Sequence, residues 1–338
     1  MRLEPIAGAV IGFVIGVLAT RIAELVARRR ALLDVPNERS SHLVPTPRIG
    51  GLGIIAGTMV GWGFIQGSSD PTALVIVAAS LVLAAVGLLD DLRHTSVAAK
   101  YLAQLGTAAV AAVAIGPRLN IEIASVGVTL DGVPAIVLAT IWLTAIINAF
   151  NFMDGIDGLI GSVGALTGIV GLALVVPEAQ PLLIAVAAAC VGFLVWNQAP
   201  ASIFMGDVGS QFLGLVVGAG LLRQGSGTVA LVPVVILVAP LLLDTSITLI
   251  RRAREGKNLF AAHREHLYQR LVTAGRSHRE VAAGYAMATA VAGLVAIAWS
   301  GLGAGFQVGV VLILTVLGVA YVWWVGLVER DAAPAPRD

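Results

Sequence analysis

Eleven apolar segments fill most of this chain, at roughly 5–27, 49–66, 72–89, 101–117, 134–151, 160–176, 181–197, 211–222, 229–250, 281–300 and 306–328. A bilayer-spanning helix needs about 20 mostly apolar residues, because hydrocarbon offers no water to unpaired backbone groups. Hydrophobic residues make up 58% of the 338 and charged residues 12%, against about 45–50% apolar content in a soluble domain. The expected fold class is an all-α polytopic membrane protein of about 11 transmembrane helices. The eighth segment is the shortest. No loop is long enough to bury a core of its own, so residues 1–330 read as one integral membrane domain and 331–338 as a disordered tail.

Charge sets the orientation. The first segment is followed by Arg28, Arg29 and Arg30 rather than a small-residue cleavage site, so it is expected to stay as the first helix. With an odd number of spans, 17 of the 21 Lys and Arg fall on the face that holds residues 28–48, 90–100, 251–280 and the C-terminus. Arg2, Arg118 and Arg223 lie opposite, and Arg21 sits inside the first helix. The positive-inside rule makes the first face cytoplasmic. On the other face, alternation of Ile121, Ile123, Val126, Val128 and Leu130 predicts a small periplasmic β-hairpin within 120–132. A net charge of +1 gives no ground for a nucleic-acid partner, and the single Cys190 excludes an internal disulfide.

Five aspartates stand out against this background: Asp90, Asp91, Asp154, Asp157 and Asp207, all near the cytoplasmic ends of apolar runs. A carboxylate at bilayer depth costs about 2.5–3.5 kcal/mol on insertion scales, so a compensating cation or a chemical role is expected. Asp90 and Asp91 are adjacent and point about 100° apart on a helix, so one would bind metal while the other works nearby. Asn148, Asn151 and Asp154 repeat at intervals of three, as do Asp154 and Asp157; they share a face if the helix continues, although Gly155 and Gly158 loosen it. Asp207 lies between Gly206 and Gly209, where it caps a helix or holds a metal at the helix's positive end. Hard oxygen ligands suit Mg²⁺, with Mn²⁺ as a substitute, and Mg²⁺ commonly bridges substrate phosphates. Lys100 is a helix-start cation or a phosphate contact.

Two basic loops flank the acids. The first, 34–51, carries Arg39 and His42 and is stiffened by Pro36, Pro45 and Pro47. The second contains His263, Arg264 and His266, with the histidines spaced to share a helical face as metal ligands or phosphate contacts. Zinc lacks a third nitrogen or sulfur ligand there.

Together these motifs resemble the polyprenyl-phosphate sugar-1-phosphate transferases of MraY/WecA type over nearly the whole chain. The resemblance rests on Pro36-Asn37-Glu38-Arg39 with His42 and Gly50-Gly51, Leu89-Asp90-Asp91, the run Asn148 to Gly158, and Met205-Gly206-Asp207-Val208-Gly209-Ser210. It implies transfer of a sugar-1-phosphate from a UDP-N-acetylhexosamine to undecaprenyl phosphate, release of UMP, and a start to O-antigen or another surface polysaccharide. It further implies that Asp207 and Asp91 hold Mg²⁺, that Asp90 and Asp91 bind metal and deprotonate the lipid phosphate, and that Asn151, Asp154 and Asp157 meet the nucleotide sugar. Where WecA-like members carry Arg-x-His-x-His-His, this chain has Arg264-Glu265-His266-Leu267-Tyr268-Gln269. That departure is similar to the O-antigen branch that uses 6-deoxy-N-acetylhexosamines, and it suggests that the Tyr268 ring gives the sugar an apolar wall.

The polyprenyl tail requires a lateral groove open to membrane lipid, and a homodimer is compatible with the sequence. A metal-dependent phosphatase or pyrophosphatase shares the phosphate chemistry but takes water as acceptor. A secondary transporter would place its acids near the midplane rather than at helix ends on one face.

Overall fold

The computed structural model describes residues 3–36, 44–66, 70–93, 95–259, 261 and 263–332. Twelve helices appear among them: α1 (Glu4–Arg29), α2 (Gly51–Gln66), α3 (Pro71–Arg93), α4 (Val97–Ile115), α5 (Gly132–Phe152), α6 (Leu159–Gly171), α7 (Gln180–Asn197), α8 (Asp207–Leu221), α9 (Leu231–Arg254), α10 (Leu267–Thr273), α11 (His278–Ala298) and α12 (Ala304–Ala332). Eight are long and apolar enough to cross a membrane, while α2, α6 and α8 are apolar but shorter. Each of the eleven apolar segments thus coincides with a helix, and α10 is a short extra one. The last residues of the expected tail, 333–338, lie outside the described residues.

α8 is the axis of the molecule. Every residue from Val208 to Leu221 is buried, so the helix is apolar all round, as a core helix should be. Its 15 residues span only about 22 Å at about 1.5 Å per residue. A helix enclosed by others can stop short of the bilayer surface, since the polar backbone beyond its ends meets protein rather than lipid. α3 and α5 pack along it, with α2, α6 and α7 beside them.

Small residues permit these approaches. On the α1–α2–α7 side, a Cβ added at Gly57 would lie 2.6 Å from the Gly12 carbonyl oxygen, and one at Gly16 would lie 3.0 Å from that of Ala189. At the acidic end of α3, a Cβ at Gly87 would lie 2.5 Å from the Asp207 carbonyl oxygen and 2.8 Å from the Val208 nitrogen. The absence of a side chain at Gly87 therefore brings the Asp90–Asp91 turn beside the start of α8.

Neighbouring α3 and α8 run in opposite directions and are tied at both ends. Far from the acids, Arg223, just past α8, pairs with Asp70, just before α3, at 2.6 Å. Asp70 also accepts from the amides of Thr72 and Ala73, which caps α3. In α1 the charge of Arg21 is absorbed within the helix: Glu24, 3% exposed, pairs with Arg21 and with Arg28, and Arg21 stacks on the Trp196 ring at 5.0 Å.

The expected hairpin forms from β3 (Arg118–Ile123) and β4 (Val126–Leu130), antiparallel with Leu119 opposite Leu130. A third strand absent from the sequence reading, β5 (Thr228–Ala230), joins β3 in parallel. The resulting sheet, ordered β4-β3-β5, lies at the end of the bundle opposite the aspartates. Ahead of α2, the two-residue strands β1 (Leu33–Asp34) and β2 (Thr46–Pro47) pair with each other.

Candidate active site

The α3–α4 turn aims one cation between two carboxylates. Asp90 Oδ1 accepts from the Thr95 amide at 2.7 Å and the Thr95 hydroxyl at 2.8 Å, which closes the turn. Ser96 caps α4 by accepting from the Ala99 amide. One turn into α4, Lys100 Nζ reaches Asp90 Oδ2 at 2.8 Å and Asp207 Oδ2 at 2.6 Å. Both pairs are only partly exposed, so the cation holds the acids close without shutting out a ligand.

Asp91 diverges from Asp90, as adjacent helical positions must. Its Oδ1 accepts from the Asp207 amide at 3.2 Å and its Oδ2 from the Val208 amide at 3.0 Å. The cap of α8 is therefore supplied by a carboxylate from another helix, while Asp207 itself makes no side-chain cap. That leaves the Asp207 carboxylate facing outward. Oδ1 accepts from Asn151 Nδ2 at 2.9 Å, and Oδ2 accepts from Lys100 and from Gln211 Nε2 at 3.2 Å. Gly206 makes the approach possible: its φ of +74° suits glycine, and a Cβ there would lie 2.0 Å from the Arg48 carbonyl oxygen. Arg48 in turn donates to the Asp91 carbonyl.

Asn148 and Asn151 do share a face of α5. Asn148 Nδ2 donates to Gln104 at 2.9 Å, and Asn151 Nδ2 also reaches the Ser210 hydroxyl at 3.0 Å. The helix stops at Phe152, so the interval of three does not carry through to the later aspartates. Asp154 lies past the helix end, where burial and then the charges of Asp207 and Asp91 push its carboxyl up to about 8, with the Gly206 amide partly offsetting them. Asp157 turns away: its Oδ2 accepts from the Ala201 amide at 3.0 Å and its Oδ1 lies 3.3 Å from His278 Nδ1. It clasps the loop to the start of α11.

A cavity of about 340 Å³ opens between Lys100, Asn148 and Asn151 on one side and His263, His266 and Gln269 on the other, with Tyr101 and Phe152 in its wall. His263 and His266 are not on a common helix, since His266 is the residue before α10. They nonetheless stack, with ring centroids 4.9 Å apart. Arg264 points into a second hollow with Arg251, Glu265 and Arg270. Arg39 and His42 lie outside the described residues.

The apolar wall expected of Tyr268 is absent. The residue is fully buried, its hydroxyl donating to the Phe152 carbonyl at 2.9 Å; Gln269 is the residue that meets the cavity. The sequence reading also passed over Arg48, Thr95, Gln104, Gln211 and Asp244. Gln104 and Gln211 sit four residues beyond Lys100 and Asp207, the spacing of neighbours on one helix face. Asp244 interrupts an apolar run, which was signal enough.

Burial, then His266 and Arg252, lower the His263 imidazole from about 6.5 to about 4. A depressed histidine leaves the folded state holding fewer protons than the unfolded chain between those values, so stability is full above about 6.5 and falls as the pH drops toward about 4. His263→Gln should flatten the decline of melting temperature across that window. An unchanged slope would place the acid sensitivity elsewhere.

Sequence comparison agrees with this arrangement. The profile of glycosyl transferase family 4 matches residues 73–224, the stretch that carries Asp90 to Asp207. The chain is 34% identical over 309 residues to the decaprenyl-phosphate N-acetylglucosaminephosphotransferase of Mycolicibacterium smegmatis, covering 79% of this chain and 75% of that one. It is 30% identical over 293 residues to the undecaprenyl-phosphate alpha-N-acetylglucosaminyl 1-phosphate transferase of Escherichia coli, covering 81% and 77%. Likeness of this extent, across a helical membrane bundle whose acidic helix ends converge, makes the chain a member of glycosyl transferase family 4.

Proposed function

We propose that this protein transfers a sugar-1-phosphate from a UDP-N-acetylhexosamine to undecaprenyl phosphate or a closely related polyprenyl phosphate, releasing UMP, at the cytoplasmic face of a bacterial inner membrane. The observation that carries the reading is Lys100 held by Asp90 and Asp207 at the edge of a cavity lined by Asn148, Asn151 and His263. Such a set of amide, imidazole and ammonium groups suits phosphate oxygens beside acids that manage charge. The relatives' polyprenyl-phosphate and N-acetylglucosamine specificities support the same acceptor and donor classes.

The donor set fits a divalent cation. Burial, then the nearby charges of Asp207 and Asp91, raise the Asp154 carboxyl to about 8, so three acids crowd one place that a cation would relieve. Mg²⁺ takes one or two carboxylates and completes its shell with water and phosphate. Asp207 and Asp91 would hold the ion: Asp207 Oδ1 and both Asp91 oxygens each accept one hydrogen bond and keep a lone pair, while Asp207 Oδ2 already accepts from Lys100 and Gln211. When bound, it supplies charge neutralisation between the two phosphates.

The chain's own residues do the rest. Asp91 fixes the start of α8 and hence the direction of Asp207. Asn151 and Gln211 orient that carboxylate by donating to its two oxygens. Lys100, shared between two aspartates, is placed to turn from one of them toward an incoming phosphate. Asp90 holds the Lys100 ammonium where the acceptor phosphate, already largely ionised near neutral pH, must approach. Donor sugar and label should move together into lipid: with UDP-sugar labelled in the β-phosphate, the label is expected in the organic phase attached to the sugar. Label released as inorganic phosphate would instead favour a phosphatase.

The finer donor choice, a 6-deoxy-N-acetylhexosamine, now rests on Gln269. Gln269→His should alter the ratio of kcat/KM for UDP-N-acetylglucosamine and its 6-deoxy counterpart by about fivefold, the scale of one net hydrogen bond. Tyr268→Phe should leave the ratio unchanged. A ratio insensitive to residue 269 would remove this choice and leave the transferase standing.

A further inference from the structure

Asp244 lies within the apolar length of α9 and is fully buried, a costly place for a carboxylate unless it has several donors. It has them. Oδ1 accepts from the Leu267 amide at 2.9 Å and faces His266 Nδ1 at 3.1 Å. Oδ2 accepts from the Tyr268 amide at 3.0 Å and from the Tyr285 hydroxyl. Thr248 adds a longer contact to Oδ1 at 3.3 Å.

Two of these donors are the first amides of α10, so Asp244 caps that helix from another one. His266, the residue before α10, also forms a capping box with Gln269, which leaves its Nε2 unexplained. Where the imidazole donates to this carboxylate from Nδ1, Nε2 of the neutral ring is left with a lone pair. Nε2 is buried without a hydrogen-bond partner among the described residues, and His266 lines the cavity. Stacking on His263 at 4.9 Å and on Tyr268 at 5.9 Å, with the Phe152 ring tilted against it at 5.8 Å, holds the imidazole plane.

We propose that Asp244 is a positioning residue: it fixes His266 in the Nδ1–H tautomer and presents Nε2 to the cavity as an acceptor for an N–H or O–H group of the nucleotide-sugar donor. The role rests on the transferase reading given above. A carboxylate behind a histidine controls which nitrogen can act, and the wrong tautomer is catalytically costly even where geometry is intact.

The nitrogen spectrum of the histidine rings tests this without turnover, so its failure is separable from failure of the transferase reading, which UMP release decides. The chain has five histidines, and His266→Gln identifies the signal that disappears. In ¹⁵N-histidine-labelled full-length protein in detergent, His266 should show a protonated Nδ1 and a bare Nε2. Added UDP-N-acetylglucosamine should shift Nε2 and leave Nδ1 in place. A protonated Nε2 with a bare Nδ1, or an Nε2 signal that ignores the nucleotide sugar, would overturn the proposal. In parallel, Asp244→Asn should lower kcat/KM by at least about tenfold in the wild type but by less than about threefold in the His266→Gln background. Equal losses in both backgrounds would make Asp244 a structural cap only. If Asp244→Asn does not fold, the wild-type spectrum still decides.

Discussion

Asp207→Asn is expected to lower turnover by at least about 10²–10³-fold, the range seen when one preorganised electrostatic group is lost from a reaction centre. The substitution keeps the shape of the side chain. Its amide can still accept from Asn151 at Oδ1, but the group in place of Oδ2 meets the Lys100 ammonium and the Gln211 amide, both donors. The charge that attracts Lys100, and that would hold a divalent ion, is gone. Because the pair is part-exposed and the Asp91 cap of α8 uses backbone amides, melting in detergent should change little. Retention of more than about a tenth of wild-type activity at saturating Mg²⁺, a loss of only about 1.4 kcal/mol, would contradict the assignment.

Arg223→Met should do the reverse. Its partner Asp70 is 9% exposed and lies 2.6 Å away, so the variant strands a carboxylate with only two backbone donors. Breaking one side of a buried pair costs about 3–5 kcal/mol, read here as a clear drop in melting temperature. The damage falls at the sheet end of α3 and α8, away from Lys100. Turnover per folded molecule should therefore stay near that of the wild type. Lost stability with proportionally lost kcat in the folded fraction would mean that the two ends of this helix pair are coupled.

The bundle was readable in the sequence because membrane helices announce themselves by length and apolarity, and their observed ends fall within a few residues of the segments. The third strand was not: Thr228 to Ala230 is too short for an alternating pattern and gains its identity only by lying beside β3. In the site, Asp90, Asp207, Asn148, Asn151 and Lys100 were legible, since each sits near a helix end where spacing gives direction. The three-residue interval does not carry to Asp157, because α5 ends at Phe152. Gly158, with φ +76°, sends the chain elsewhere and Asp157 toward His278. Tyr268 was misjudged for a related reason: a residue in the first turn of a short helix faces whichever neighbour covers it, here the Phe152 carbonyl. Asp244 lies in mid-segment rather than at an end, and its partners come from α10 and α11, far along the chain.

The central claim is that these acids and Lys100 manage two phosphates at once, one on a nucleotide sugar and one on a lipid. UMP release by the purified full-length protein in detergent measures this most directly, with UDP-N-acetylhexosamine and undecaprenyl phosphate supplied together and separately. UMP should appear only when both are present, and Asp207→Asn should abolish it. UMP released from the UDP-sugar alone at the same rate would identify a hydrolase and contradict the account.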